Sequence, residues 1–375
     1  MNARERWIEA LTFGKPDRLP LLPGGPREST LKRWHQEGLP ADRPWSEVLM
    51  ETLGIQPETT KPQVNLGVNF DLMPAFEEKI LEHRDGHYLM QTIRGEIVEV
   101  SDRYDFTYLR SAKDFVTRKY HRHPVENRAD WDAMKKRFNP DTPGRFPEDF
   151  EVRCRQLADR DYVLRIWFNG PFWQLRNWCG FENLCLFMAE DPELVEEMAL
   201  FWRDFIMTIL DRIFARVAPD HFGFSEDMAY KAKSMISPAM ARRFLMPCWQ
   251  TWSAAARRSG CRIIDVDSDG YIGELIPLWI ESGINSCQPI EVAAGNDLPA
   301  YRKQFGRSMA YHGGIDKRAI AKGGAVIEAE LQRVIPPMLV DGGYVPSCDH
   351  GVPPDISWAD FIHYSRELAK LTGWL

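Results

Sequence analysis

No run of about 18 apolar residues occurs in this chain, so nothing in it reads as a membrane-spanning helix. Cysteine is sparse and scattered, at 154, 179, 185, 248, 261, 287 and 348, with no C-x-x-C pair and an odd total. That usage argues against a disulfide frame and fits a reducing compartment. Positive charge has no surplus either: the formal net charge is -7, and the one short basic stretch, Lys119 to Arg122, reads as a solvated face. A nucleic-acid surface would need a basic stripe, so nucleic acid is excluded as a partner. There is no convincing internal repeat, no low-complexity linker and no G-x-G-x-x-G after the first strand, which argues against a dinucleotide fold. With a charged amphipathic start at Met1 to Lys15, the expectation is a soluble cytoplasmic protein with no membrane partner.

Aromatic residues are plentiful, with 13 Trp and 20 Phe in 375 residues. They can fill a large core or line a pocket for a flat ligand. Helix signals are clearest in the second half. Asp191-Pro192-Glu193 offers an N-cap, a proline at the first helical position and an acid in the first turn, followed by apolar residues from Leu194 to Val217 at spacings of three and four. Ser237-Pro238 starts a helix that Pro247 should interrupt and Gly260 can end, and Ser357 to Asp360 resembles a capping box. Between these lie short apolar runs that suit buried strands: Tyr162 to Trp167, His221 to Phe224, Arg262 to Asp267, Ile284 to Pro289, Ser308 to His312 and Tyr344 to Ser347.

With an early strand at Arg18 to Leu22, this alternation approaches the eight βα units of a closed (β/α)₈ TIM barrel, ahead of an open doubly wound sheet. Residues Lys61 to Asp105 instead alternate apolar and polar around Asp85-Gly86 and Arg94-Gly95. They read as an antiparallel β-meander, inserted as a lid into a single domain spanning residues 1–375.

The chemistry concentrates in Asp265-Val266-Asp267-Ser268-Asp269-Gly270. Alternate strand residues share a face, so the three carboxylates should point one way while Ile264 and Val266 point the other. Like charges on one buried face are costly unless paired, protonated or bound to a cation, which suggests a wet pocket or a cation site. The competing reading is an Asp-Gly turn with Asp265 at the surface. Barrel strands deliver functional residues from their carboxyl ends. Five of six predicted strand ends carry Asp, Glu, His or Cys, among them Glu226-Asp227, Asp267 and Asp269, Glu291, His312, and Cys348-Asp349-His350.

Asp267, Asp269 and His350 supply oxygens and a nitrogen suited to a divalent metal such as zinc, manganese or iron, or else to metal-free acid–base work. Of the pair Glu226-Asp227, opposite in direction on a strand, Glu226 is the preferred pocket residue and an acid–base candidate. Arg27 and Arg176 are candidates for a substrate carboxylate, and Trp173 and Glu291 for further substrate contacts.

Several blocks resemble the uroporphyrinogen decarboxylase superfamily over nearly the whole chain. They are Arg4-Glu5-Arg6, Pro16-Asp17-Arg18-Leu19-Pro20, Gly170-Pro171-Phe172-Trp173, Gly180-Phe181-Glu182-Asn183, Gly313-Gly314-Ile315-Asp316-Lys317-Arg318, Gly342-Gly343-Tyr344-Val345-Pro346-Ser347 and Val352-Pro353-Pro354-Asp355. The resemblance implies a barrel and one of two activities. Where the decarboxylases carry an arginine-rich segment after the first strand, Leu21 to Glu28 has Arg27 alone, which argues against a tetrapyrrole with many carboxylates. Where the zinc-dependent, corrinoid-linked methyltransferases hold metal with a His-x-Cys pair and a later Cys, this chain has Asp267, Asp269 and His350.

The resulting expectation is an enzyme acting on a small molecule by methyl transfer, with the corrinoid on a separate partner protein. Decarboxylation of a carboxylated substrate and a non-catalytic ligand-binding role are the alternatives. A homodimer is compatible with all three.

Overall fold

The structure is a computed structural model that describes residues 1–56, 63–103 and 116–375. Its strands are β1 (Gln63–Val64), β2 (Lys79–Arg84), β3 (His87–Gln91), β4 (Ile97–Ser101), β5 (Arg118–Arg122), β6 (Val163–Asn169), β7 (His221–Ser225), β8 (Ile263–Asp267), β9 (Ser286–Gln288), β10 (Ala310–Ile315) and β11 (Tyr344–Cys348). Seven of them form one sheet in the order β1-β6-β7-β8-β9-β10-β11, and every neighbouring pair is parallel. This is a curled half-barrel clothed in helices.

It is not the closed eight-stranded barrel expected. The predicted early strand at Arg18 to Leu22 is irregular, and the chain meets the β11 edge only a few residues later. There Cys348 N–H donates to Pro23 O, Val352 N–H to Gly25 O and Arg27 N–H to Val352 O, with one bridge between Pro26 and Val352. Pro20, Pro23 and Pro26 lack the N–H groups that a central strand would use, so this segment lies against the edge without becoming a full strand.

Helices form where their caps predicted. The helix Pro192–Phe214 begins with Asp191 accepting from Leu194 N–H. Pro247 falls at the start of a second helix, Met246–Arg258, which follows Pro238–Phe244 after a break at Leu245. Ser357 caps Trp358–Thr372. The apolar stripes of these helices pack on the convex side of the sheet, against Ile264, Val266, Phe222 and Phe224, all fully buried.

The concave side has its own small cluster, in which Trp7, Ala10 and Leu11 of the helix Ala3–Leu11 cover Val163, Ile263, Ala310 and Val345. That helix floors the lumen at the amino ends of the strands.

The alternating segment forms the antiparallel order β2-β3-β4-β5, closed by strand pairs around Met90, Val98 and Val100. The expected meander is therefore four-stranded, because Arg118–Arg122 adds β5, in which Lys119 to Arg122 are exposed, as a solvated face should be. Positions 61–62 and 104–105 of the predicted insertion lie outside the described residues. Among the described residues, no helix is long and apolar enough to cross a membrane.

Candidate active site

Register fixes which side chains enter the lumen. Arg165 pairs with His221, Trp167 with Gly223 and Asp265, and Asn169 with Ser225 and Asp267, so each tier of inward residues is supplied by adjacent strands. The expected common face of Asp265 and Asp267 is observed, with Ile264 and Val266 turned to the helices. A cavity of about 1000 Å³ follows this concave face, from Trp7 and Trp374 at the amino ends to Asp227, Asp267, Asp269 and His350 at the carboxyl ends.

Asp265 itself is neither a surface residue nor a free charge. It is fully buried, and its Oδ2 accepts from His221 Nε2 at 2.9 Å and from Gln288 Nε2 at 2.6 Å. Burial raises its carboxyl, but the His221 bond, with the nearby Arg165 charge, holds it below the ordinary range.

At the carboxyl ends three carboxyl groups crowd one rim. Asp267 Oδ2 accepts from Ser225 Oγ at 3.1 Å, and Ser225 Oγ accepts from Trp167 Nε1 at 2.9 Å. Burial pushes Asp267 up to about 7, and the neighbouring Asp227 and Asp269 add to the rise. Asp227 is raised too, first by burial and then by Asp269. It sits at φ 42°, a left-handed conformation that Asp tolerates better than most residues, and its Oδ1 accepts from Asp269 N–H at 3.1 Å. Asp269 Oδ2 lies 3.1 Å from His350 Nε2, and this bond raises the imidazole pKa. His350 Nδ1 accepts from Gly351 N–H at 2.7 Å, with Arg27 Nη2 at 3.3 Å, so Nε2 carries the proton shared with Asp269.

The structure therefore brings together Asp267, Asp269, His350 and Trp173 on one cavity, and substitutes Asp227 for Glu226. Glu226 is fully buried away from the cavity, where Oε2 accepts from Phe172 N–H at 2.8 Å and Trp173 N–H at 3.3 Å, and Oε1 from Trp249 Nε1. Burial pushes its pKa up to about 8 against those donors. The reason is alternation: His221, Gly223 and Ser225 face the lumen, so the next residue turns outward and Asp227 turns back in.

Arg176 does not line the cavity but donates to Asp227 O at 2.9 Å, fixing the rim. Arg27 stands behind His350 rather than on the cavity wall. Glu291 is engaged by Gly270 N–H at 3.2 Å and Lys317 Nζ at 3.1 Å, also off the wall.

The expected metal set does not fit. Asp267 is bonded to Ser225 while Asp269 and His350 bond each other, and among the described residues no group of three or more His, Cys, Asp or Glu side chains is arranged to hold a metal ion. Cys348 is buried, and that burial pushes its thiol up to about 12.

Lumen residues that the sequence reading passed over include Arg165, Trp167 and His221. An arginine inside an otherwise apolar predicted strand was the available signal.

No family model and no curated protein matches this sequence. Among solved structures, the chain is similar to a methyltransferase from Methanosarcina mazei, with a TM-score of 0.56 at 13% identity, over 100% of this chain and 98% of that one. At that identity the likeness speaks for the fold.

Proposed function

We propose that this chain is an enzyme that transfers a methyl group to or from a small molecule held in the lumen. The observation that carries the reading is the rim itself, where Asp267 faces the cavity, and burial first, with Asp227 and Asp269 beside it, pushes its pKa up to about 7. A general acid with a pKa near the working pH is what departure of a poor leaving group requires.

As the bond between the methyl carbon and its heteroatom breaks, the heteroatom keeps the electron pair and takes the proton of Asp267. The methyl group passes to a nucleophilic acceptor. A corrinoid on a separate protein, when bound, would supply that acceptor. Asp269 holds His350 in one tautomer, and Trp173 gives the substrate an aromatic wall. The methyltransferase fold neighbour and the motif resemblance support the same class of reaction.

Run in reverse, the reaction should consume methylcobalamin only when a phenol, thiol or amine is present to accept the methyl group, and Asp267 then acts as the base. Absorbance of methylcobalamin with 3-(4-hydroxyphenyl)propanoate and with a panel of simpler acceptors tests this. Wild-type protein should show acceptor-dependent consumption, and Asp267→Asn should slow it by about 10²-fold or more. No acceptor-dependent consumption with any member of the panel refutes methyl transfer.

A further inference from the structure

The lumen holds a second polar tier below the rim. Arg165 enters it from the middle of β6 at the level of His221, four residues before the level of Asn169 and Asp267, a rise of about 13 Å along the strand. Its guanidinium stacks over the Trp167 ring, 3.7 Å from the centroid, and faces the cavity. Among the described residues its one hydrogen bond is long, from Nη1 to Gln63 Oε1 at 3.5 Å, and its buried Nε has no partner.

No carboxylate oxygen among the described residues comes within the 4.0 Å of an ion pair. The nearest acids are otherwise bound, Asp265 by His221 and Gln288 and Asp267 by Ser225. Other arginines drawn out of solvent have short bonds for their Nη groups: Arg160 pairs with Asp220 at 2.8 Å, and Arg302 donates from Nη1 and Nη2 to four backbone carbonyls, although its Nε too lacks a partner among the described residues.

A buried, unpaired cation is expensive in a fold that has no use for it. Trp167 can take its inward position only because residue 223 is glycine, so the platform under the guanidinium is built by the sequence. The two histidines of the tier, His221 and His312, have their pKa values lowered by burial, His312 to about 4, and so add no charge. One guanidinium at this tier, with Asp265 behind it and the other lining arginine, Arg6, paired with Asp17, suits a single negative charge and opposes a dianion.

We infer that Arg165 is the anchor for a substrate monocarboxylate, taken in the bidentate geometry of a guanidinium, so that the ligand is an elongated acid with its carboxylate deep in the lumen and its other end at the Asp267 rim. The lining also includes Leu21, Leu22, Leu49 and Met50, apolar surface that suits an aliphatic or aromatic spacer. The inference names a substrate class for the cavity of the proposed enzyme, but binding alone tests it, so its outcome is separate from that of the methyl-transfer assay.

The probes are 3-(4-hydroxyphenyl)propanoate and the matching alcohol, 4-(3-hydroxypropyl)phenol, titrated calorimetrically into the intact protein. The acid should bind at least about tenfold more tightly than the alcohol, the effect of one charge-assisted pair. Arg165→Gln should erase that preference without a large drop in melting temperature, since the guanidinium makes only a long hydrogen bond to Gln63 and a stack on Trp167, and Arg165→Lys should retain part of it. Three results overturn the inference: equal binding of acid and alcohol by wild type, no binding of the acid into the millimolar range, or an acid preference that survives in Arg165→Gln. A large drop in melting temperature in both variants also overturns it, by assigning Arg165 to the fold.

Discussion

A Cβ added at Gly223 would lie 2.2 Å from Cζ3 of Trp167, across the lumen between neighbouring strands. The missing side chain lets the indole lie flat inside the sheet, where its Nε1 reaches Ser225 and its face receives Arg165. Gly223→Ala should therefore act at a distance. The indole must move, at an overpacking cost of about 1–3 kcal/mol. A melting temperature lower by several degrees, with a shifted tryptophan emission, is the expected result. An unchanged emission spectrum would show that the indole is not confined as described.

Asp267 gives the protein a pH signature whose sign is unusual for a carboxylate. Its folded pKa is raised from 3.8 to about 7, so between those values the folded state holds a proton that the unfolded state has released. The contribution of this group to stability is complete below about pH 4, declines as pH rises through the folded value, and is gone above it. Three units correspond to at most about 4 kcal/mol, less where water enters the cavity. Asp267→Asn should match wild type near pH 4 and exceed it in stability at pH 8. Urea denaturation at the two pH values measures this, and a wild type that is the more stable at pH 8 would contradict the buried-acid assignment.

The alternation of strand residues made much of this legible in the sequence. Ile264 and Val266 read as outward and Asp265 and Asp267 as inward, and they are; the strand starts and the caps at Asp191, Ser237 and Ser357 follow from local chemistry. What was hidden depended on partners far along the chain. Nothing local reveals that Asp265 meets a histidine 44 residues earlier, or that three donors from two helices surround Glu226. The open edge of the sheet was also concealed, because an apolar stretch punctuated by prolines looks like a strand until its hydrogen bonds are counted.

Glu226 illustrates how a buried acid can be structural. Gly170 has no side chain because a Cβ there would fall 2.4 Å from the Glu226 carboxyl carbon, so the carboxylate sits directly under the first turn of the helix Pro171–Cys179. Glu226→Ala removes the acceptor for the Phe172, Trp173 and Trp249 N–H groups and should destabilise by about 3 kcal/mol, with Glu226→Gln intermediate. Thermal melts provide the measurement. If Glu226→Gln folds as stably as wild type yet loses acceptor-dependent methylcobalamin consumption, the acid belongs to the chemistry after all.

Uroporphyrinogen should not be a substrate, for reasons of charge. Its carboxylates need several guanidinium partners, whereas the segment from Leu21 to Glu28 carries Arg27 alone, and Arg27 stands behind His350. The cavity wall meets the ligand with Asp227, Asp267 and Asp269 at the rim, and its arginines among the described residues are Arg165 in the lumen and Arg6, which is paired with Asp17. Each missing charge-assisted pair removes about 1.5–3 kcal/mol of binding, so the loss of two weakens recognition by a hundredfold or more. Ionised rim carboxylates would repel the remaining charges as well, most strongly above pH 7, where Asp267 releases its proton. Incubation with uroporphyrinogen and chromatography for coproporphyrinogen should give no product above the rate without protein. Robust product formation would restore decarboxylation as the reaction.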